Sequence, residues 1–359
     1  MKFTRLGTVS IIAMTTALTL SGCVTAPVGD GTGLSGTIIG AGASSQQSAQ
    51  ESWVRGFQLA NVRATVEYDP IGSGGGRDTF VGGGAVFAAS DRAFTVDEIA
   101  ESDFVSCVPG TGILEIPAYI SPIAIIFSLE GIDSLNLDAD TIAAIFMGEV
   151  NRWDDEAIVE QNPGVELPDQ RITAVHRADD SGTTANFTSY LAEAAPGTWD
   201  LGDIEKWPIE LGGEAAPQTS GVVDAVTNGT GTIGYADASR AGDLGTVAVK
   251  VGEEYVSYSP EAAAAIVDVS PFGEGRGATD FAVEIDRAST ASGVYPVVLI
   301  SYLIACNEYV SAEDVDVIRG YLDYVISPEG QQAAAAGAGS APISATLFDK
   351  ANAAVAAIK

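Results

Sequence analysis

Three short loops hold the residues best suited to chemistry. Residues 40–45 read Gly-Ala-Gly-Ala-Ser-Ser, residues 72–76 read Gly-Ser-Gly-Gly-Gly, and residues 181–183 read Ser-Gly-Thr. Each lies between a β-type run and a helix start. The first N–H groups of a helix lack internal partners and sit at the positive end of its dipole. Glycine lets the backbone approach an anion closely, and hydroxyls add neutral donors. Several such loops converging would cage a tetrahedral oxyanion without any cationic cluster. Each loop alone also has a plainer reading: 72–76 as a flexible connector, Ser44-Ser45 and 181–183 as ordinary helix caps. No Lys follows any of them, so none is a phosphate-cradling loop of the nucleotide-binding kind. Arg177 stands four residues before Ser181 with Asp179 close by. It is either a charged donor for the same anion or half of a surface ion pair.

Composition limits the alternatives. The 359 residues carry 17 Lys+Arg against 48 Asp+Glu, a net charge of -31, which repels nucleic-acid backbones. His176 is the single histidine, so a His-built zinc site is excluded and a His-based triad is unsupported. No repeated metal-ligand spacing occurs, and neither metal nor cofactor is expected. A phosphate-ester hydrolase remains a rival because Ser and Asp stand near an anion site, but such enzymes need an activated nucleophile and usually metals. The chain is read as a binding protein and not an enzyme, with a non-binding surface lipoprotein as a further rival.

The elements that position these loops begin after an export signal. Lys2 and Arg5 precede an uncharged stretch, 6–20, and then Leu20-Ser21-Gly22-Cys23. A basic start, an apolar segment too short to span a bilayer and a small-residue site make 1–22 a signal peptide. The four residues resemble the lipobox of bacterial lipoproteins, which implies a lipid on Cys23 and anchoring to the outer face of the cytoplasmic membrane. Residues 23–36, rich in Gly and Pro, read as a flexible tether. Removing 1–22 leaves 15 basic residues against 48 acidic ones, a net of -33. Cys107 and Cys306 remain as an even pair in an exported chain, so a disulfide is expected; two buried free thiols are the other reading.

Along the mature chain, β-type runs at 37–39, 64–68, 120–127 and 172–175 alternate with helical patterns at 46–59, 138–147 and 184–191. Ser311 with Asp314 suggests one late helix start, and Ser327 followed by Pro328 another. The alternation predicts an α/β fold.

Taken in order, these segments resemble the phosphate-binding proteins of ABC-type phosphate importers, the PstS family of type II solute-binding proteins. The resemblance runs from Gly40 to at least Tyr324. It is carried by residues 40–44, by Ile71-Gly72-Ser73-Gly74-Gly75, by Ala89-Ser90-Asp91 and by 177–184 (RADDSGTT). Residues 152–158 (RWDDEAI), 162–164, 207–209 with 211–213, and 234–235 add to it. Ser44 stands where Thr is usual, Asp180 where Gly is commoner, and 98–103 are unusually acidic.

The resemblance implies a two-lobed periplasmic-binding-protein-like fold with hinge strands and a central ligand cleft. One lobe would comprise 37–115 plus 297–359 and the other 116–296. Inorganic phosphate would be held by Ala43, Ser44, Ser45, Ser73 and Asp91 from the first lobe, and by Arg177, Ser181, Gly182 and Thr183 from the second. Asp179 would hold the Arg177 guanidinium in place. Asp91 would accept the O–H that phosphate carries and sulfate lacks. The implied partners are the permease subunits of an importer, and the expected state is a monomer. Another oxyanion or a phosphorylated compound is the alternative ligand.

Overall fold

The computed structural model describes residues 33–268 and 270–359. The signal 1–22, Cys23 and residues 23–32 of the tether lie outside them. β1 (Ser35–Gly42) begins two residues inside the stretch read as tether, because Ser35 and Gly36 already pair with Arg63 and Ala64. Two crossovers follow: β1, α1 (Gln47–Ala60), β2 (Arg63–Asp69), α2 (Ser73–Val81) and β3 (Phe87–Ser90) place β1 parallel to both β2 and β3. α1 forms because Ala49, Trp53 and Phe57 recur at four-residue spacing and bury one face. β2, at the sheet edge, largely alternates exposed and buried residues because successive side chains point to opposite faces.

After α3 (Val96–Glu101), β4 (Ile113–Ser128) runs sixteen residues, all but the last buried. Its first part, through Pro122, pairs antiparallel with β11 (Val298–Cys306), which itself lies beside β3. From Ile123 onward it pairs with β8 (Thr232–Asp237). One strand therefore serves two groups of strands and changes neighbours at Pro122/Ile123. The second group contains β5 (Ser134–Leu137), β6 (Thr173–Arg177), β7 (Glu214–Ala216), β9 (Gly245–Val251) and β10 (Glu254–Val256). Around it lie α4 (Ala139–Phe146), α5 (Glu156–Val159), α6 (Gly182–Ala194), α7 (Gln218–Asn228) and α8 (Pro260–Asp268). The C-terminal helices α9 (Val315–Ile326), α10 (Pro328–Ala338) and α11 (Ala345–Ala356) return to the first group, where α1 packs on α9 and α10. This is the two-lobed type II arrangement.

Three details differ from the sequence expectations. β4 starts at Ile113, well before the apolar run at 120–127, and keeps its first-group pairing beyond residue 115. The segment around Arg276 to Phe281, inside the 116–296 range, packs on the first group: Phe281 N–H donates to the Glu115 carbonyl, and Arg276 donates to the Phe94 carbonyl. α9 has no Ser311–Asp314 capping box. It begins at Val315 behind Asp314, whose φ of 61° is left-handed and whose side chain caps nothing, while Ser311 accepts from the Glu313 N–H. Ser327 does cap α10, with Pro328 in the first turn.

Cys107 and Cys306 form the expected disulfide, closing a separation of 199 residues. Cys306 ends β11 and Cys107 bridges to Tyr309, so the bond staples the first group to itself. Loop closure of this length stabilises by up to ~5 kcal/mol on a chain-entropy model.

Candidate functional site

The three loops converge where the two groups of strands face each other. β1 ends at Gly42 and delivers Ala43, Ser44 and Ser45 ahead of α1. β2 leads to Gly72, whose φ of 97° suits only glycine, and so into Ser73 at the start of α2. β3 ends at Ser90 and presents Asp91. From the opposite side β6 ends at Arg177, and Ser181 caps α6 by accepting the Thr184 N–H at 3.1 Å.

Asp91 is the centre. It is 3 % exposed, and three hydroxyls donate to it: Ser45 and Ser301 to Oδ1, each at 2.6 Å, and Thr183 to Oδ2 at 2.8 Å. Its own N–H donates to Ser73 Oγ at 3.1 Å, and its carbonyl accepts from Asn186 Nδ2 at 2.6 Å. Burial pushes the carboxyl pKa up, while the three hydroxyls and the nearby Arg177 charge act in the opposite sense. Oδ1 thus has both lone-pair directions filled, whereas Oδ2 has one protein donor and one direction left.

Gly182 shows how closely the two sides approach. A Cβ there would lie 2.7 Å from Asp91 Cβ and 2.7 Å from Ser73 Oγ. Only a residue without a side chain lets α6 come in against the β3 end.

Arg177 is buried and bidentate with Asp179: Nε donates to Oδ1 at 2.9 Å and Nη2 to Oδ2 at 2.5 Å. Burial opposes ionisation of Asp179, but the Arg177 hydrogen bonds and charge, with the Gln218 N–H, hold its pKa below the ordinary value. The surface-pair reading of Arg177 is therefore wrong. His176 stays out of the cluster, stacked on Trp207 with 4.9 Å between ring centroids.

Ser44 meets a loop the sequence reading passed over. Its Oγ accepts the Thr219 N–H at 3.1 Å and lies 3.1 Å from Thr219 Oγ1. Residues 217–221, Pro-Gln-Thr-Ser-Gly, repeat the strand–hydroxyl–glycine–helix pattern of the other loops, so the signal was present. Ser301 was also missed, although it is the one small hydroxyl in the apolar strand β11. The register of β11 on β4 slips between Ser301 and Tyr302, opposite Ala118, and such a bulge re-aims side chains.

A second set of contacts crosses the same gap. Arg77 Nη2 donates to both oxygens of Glu205 at 2.8 and 2.7 Å, and Arg92 Nη2 lies 2.8 Å from Glu205 Oε2. Arg92 also binds Glu98, which closes the Thr95–Glu98 capping box of α3. The acidic 98–103 stretch thus includes a helix cap and an ion-pair partner. With Ser44–Thr219, Thr183–Asp91 and Asn186–Asp91, these bonds describe a closed cleft. A cavity of about 490 Å³ reaches the cluster at Asp91 and runs away from it, past Asn186, Arg276 and Arg287.

Among the described residues no group of His, Cys, Asp and Glu could hold a metal ion, and no helix is long and apolar enough to cross a membrane. Beside Asp91 the arrangement offers hydroxyls, helix-start N–H groups, the buried Arg177 guanidinium and the buried Asp91 carboxylate as acceptor.

Residues 29–329 match the model of a PBP superfamily domain. The chain is 31% identical over 295 residues to phosphate-binding protein PstS 3 of Mycobacterium leprae, covering 81% of this chain and 79% of the relative. It is 29% identical over 353 residues to phosphate-binding protein PstS 2 of Mycobacterium tuberculosis, covering 92% and 93%. Among solved structures it is similar to a high-affinity periplasmic phosphate-binding protein, PfluDING, bound with phosphate, at a TM-score of 0.69 and 20% identity over 89% of this chain and 93% of that one. It is similar in the same way to a phosphate-binding protein from Stenotrophomonas maltophilia, with a TM-score of 0.66 and 18% identity over 89% and 94%. At these identities the structural likenesses speak to the fold.

Proposed function

The chain belongs to the PstS family of phosphate-binding proteins, within the PBP superfamily, and on that footing we propose that it captures inorganic phosphate outside the cytoplasm and delivers it to an ABC-type importer. The observation that carries this reading is a buried carboxylate, Asp91, set among neutral donors with one acceptor direction unfilled. An anion carrying a proton fits such a place; one without a proton does not. Losing a hydrogen bond to a buried charged group costs several kcal/mol, enough for a large selectivity ratio.

In this reading Ser44, Ser45, Ser73, Ser181, Gly182 and Thr183 donate from hydroxyls or backbone to phosphate oxygens, whereas Ala43, expected among the donors, spends its N–H on the Ala89 carbonyl at 2.8 Å and only places the loop. Arg177 adds a charge-assisted contact with Asp179 fixing its plane. The lobes are taken as 37–115 plus 297–359 and 116–296, except that β1 starts at Ser35, β4 stays with the first lobe through Pro122, and the 276–281 strap lies across onto it. Contacts from both lobes favour closure because only the closed form makes all of them. A lipid on Cys23 would keep the protein at the outer face of the membrane, beside the permease subunits, as a monomer. The reading is of a binding protein and not an enzyme: the hydroxyls are held as donors around Asp91, and His176, stacked on Trp207, lies outside the cluster.

Calorimetry with phosphate, arsenate and sulfate tests the reading. Tight phosphate and arsenate binding with weak sulfate binding supports it. Equal affinity for sulfate, or turnover of a phosphate ester, overturns it.

A further inference from the structure

Asp91 is the end point of a buried chain of polar side chains that starts in the C-terminal helices. Tyr321 OH donates to Gln50 Oε1 at 2.5 Å, and Gln50 Nε2 donates to Gln46 Oε1 at 2.8 Å. Gln46 Nε2 donates to Ser301 Oγ at 2.8 Å, and Ser301 Oγ donates to Asp91 Oδ1 at 2.6 Å. All five residues are at most 3 % exposed. An apolar core would be simpler at this place, since two glutamines and a serine must each find partners there. They find them in one another.

Every hydrogen bond in the chain points toward Asp91. Two contacts fix the direction, one at Gln46 and one at Asp91. Gln46 Nε2 also lies 3.4 Å from the Tyr302 carbonyl, so exchanging its amide O and N would set two oxygens together. Reversing the whole chain would turn the Ser301 proton toward Gln46 and leave its lone pair facing the carboxylate at 2.6 Å. The forward arrangement requires Asp91 as an acceptor; the reversed one fits only a protonated acid. A chain of polarised hydrogen bonds strengthens its last member, and a low-dielectric setting magnifies the effect.

We propose that the chain Tyr321–Gln50–Gln46–Ser301 is a positioning and specificity device that keeps Asp91 an obligate acceptor, aims Oδ2 at the ligand, and so sets the pH range over which the cleft rejects sulfate. The inference rests on the reading of Asp91 as the acceptor for a phosphate proton. Burial favours the neutral acid, and the hydroxyl donors oppose it. Removing the Ser301 donor or its support lets Asp91 take up a proton at higher pH. A protonated Asp91 offers an O–H that sulfate can use, so discrimination fails.

The other charged and titratable groups around Asp91 are Arg177 from β6, held by Asp179; Tyr68 from β2, whose hydroxyl donates to the Ala43 carbonyl; Arg92, tied to Glu98 and Glu205; Arg77 from α2, bound to Ser90 and Glu205; and Arg287, bound to the Asn186 that donates to the Asp91 carbonyl, with Arg276 further along the same cavity. His176 lies behind Arg177 on Trp207. None belongs to the chain, and comparison of a variant with the unmodified protein at each pH cancels their titration together with that of phosphate.

The test measures phosphate and sulfate affinities of the purified full-length protein, Gln46→Met, Ser301→Ala and Tyr321→Phe across pH 4 to 8. In the unmodified protein the phosphate-to-sulfate ratio should fall only at the acid end. Gln46→Met and Ser301→Ala should move that fall upward by roughly half a pH unit or more, with Tyr321→Phe moving it less in the same direction. Tyr321→Phe removes one oxygen and keeps the ring, so it remains informative if a glutamine variant does not fold. An unmoved fall in Ser301→Ala and Tyr321→Phe overturns the proposal. A merely structural role would weaken both anions alike without moving the fall. If the unmodified protein does not discriminate at all, the parent reading fails instead, which is a separate outcome.

Discussion

Two clusters bridge the cleft, and they handle charge in opposite ways. At Asp91 a buried carboxylate meets hydroxyls, with Arg177 bound to Asp179. The contrast lies in what each carboxylate faces. At Glu205 it faces two guanidiniums, Arg77 and Arg92, and Arg92 is shared with Glu98. The consequences for ionisation diverge. Burial dominates Asp91 and pushes its pKa up. At Glu98 burial also works upward, yet the hydrogen bonds from Arg92 and from the Thr95 N–H carry the carboxyl down to about 2. A charge paired with charge is satisfied and acts as a fastener. A charge held by neutral hydroxyls keeps an acceptor direction open, and that is what a selective site requires.

The sharpest way to break this contrast is at Asp91. Asp91→Asn keeps one acceptor, removes the negative charge and adds a donor that sulfate can use. The phosphate-to-sulfate affinity ratio should narrow by roughly tenfold or more, read by calorimetry with both anions. An unchanged ratio would mean that Asp91 is not the discriminating acceptor. Arg177→Ala comes next. It removes the buried guanidinium and should weaken phosphate binding by at least about tenfold, or about 1.4 kcal/mol, with an unchanged far-ultraviolet spectrum. Unchanged affinity would leave Arg177 as support for Asp179 alone.

How much of this contrast could be read in the sequence differs between its parts. The loops at 40–45, 72–76 and 181–183 were legible because glycine and hydroxyls at a strand–helix junction have a local physical meaning, and the structure brings all three together. Helix 46–59 is found at Gln47–Ala60, since the spacing of Ala49, Trp53 and Phe57 is itself the helix signal. Ser301 was hidden because its role depends on a register slip between β4 and β11, two strands far apart in sequence. Thr219 carried a local signal that was passed over. The partners of Glu205 were invisible for a third reason: surface-type Arg and Glu look alike everywhere until the fold sets Arg77, Arg92 and Glu205 at the same edge. Asp314 misled in the other direction, because a capping pattern does not reveal that the residue takes a left-handed φ of 61°.

Glu205 sharpens the comparison with a smaller effect. Glu205→Gln removes the charge that joins Arg77 and Arg92 across the cleft, while the backbone carbonyl of residue 205 still accepts the Ser181 N–H at 3.1 Å. These contacts exist only when the cleft is closed, so their loss should raise the phosphate dissociation rate by roughly threefold to tenfold in stopped-flow measurements. The phosphate-to-sulfate ratio should not change, because both anions need the same closure. A changed ratio would show that the fastener also takes part in selection, and the division between the two clusters would fall.

The smallest effect concerns how phosphate arrives. With a net charge of -31 the protein as a whole repels an anion, and the local donors act only at close range. Repulsion between exposed charges is screened over a Debye length of ~8–10 Å near physiological salt, whereas a buried, closed cleft is screened far less. Raising salt should therefore speed phosphate association, by roughly twofold to threefold over the accessible range, while leaving the phosphate-to-sulfate ratio nearly constant. A protein that drew anions in with a basic funnel would show the opposite slope. Stopped-flow association rates at several salt concentrations decide between them. A rate that falls with salt would mean that Arg177 and its neighbours project a positive field beyond the cleft mouth, and that the neutral-donor description of this side of the comparison is incomplete.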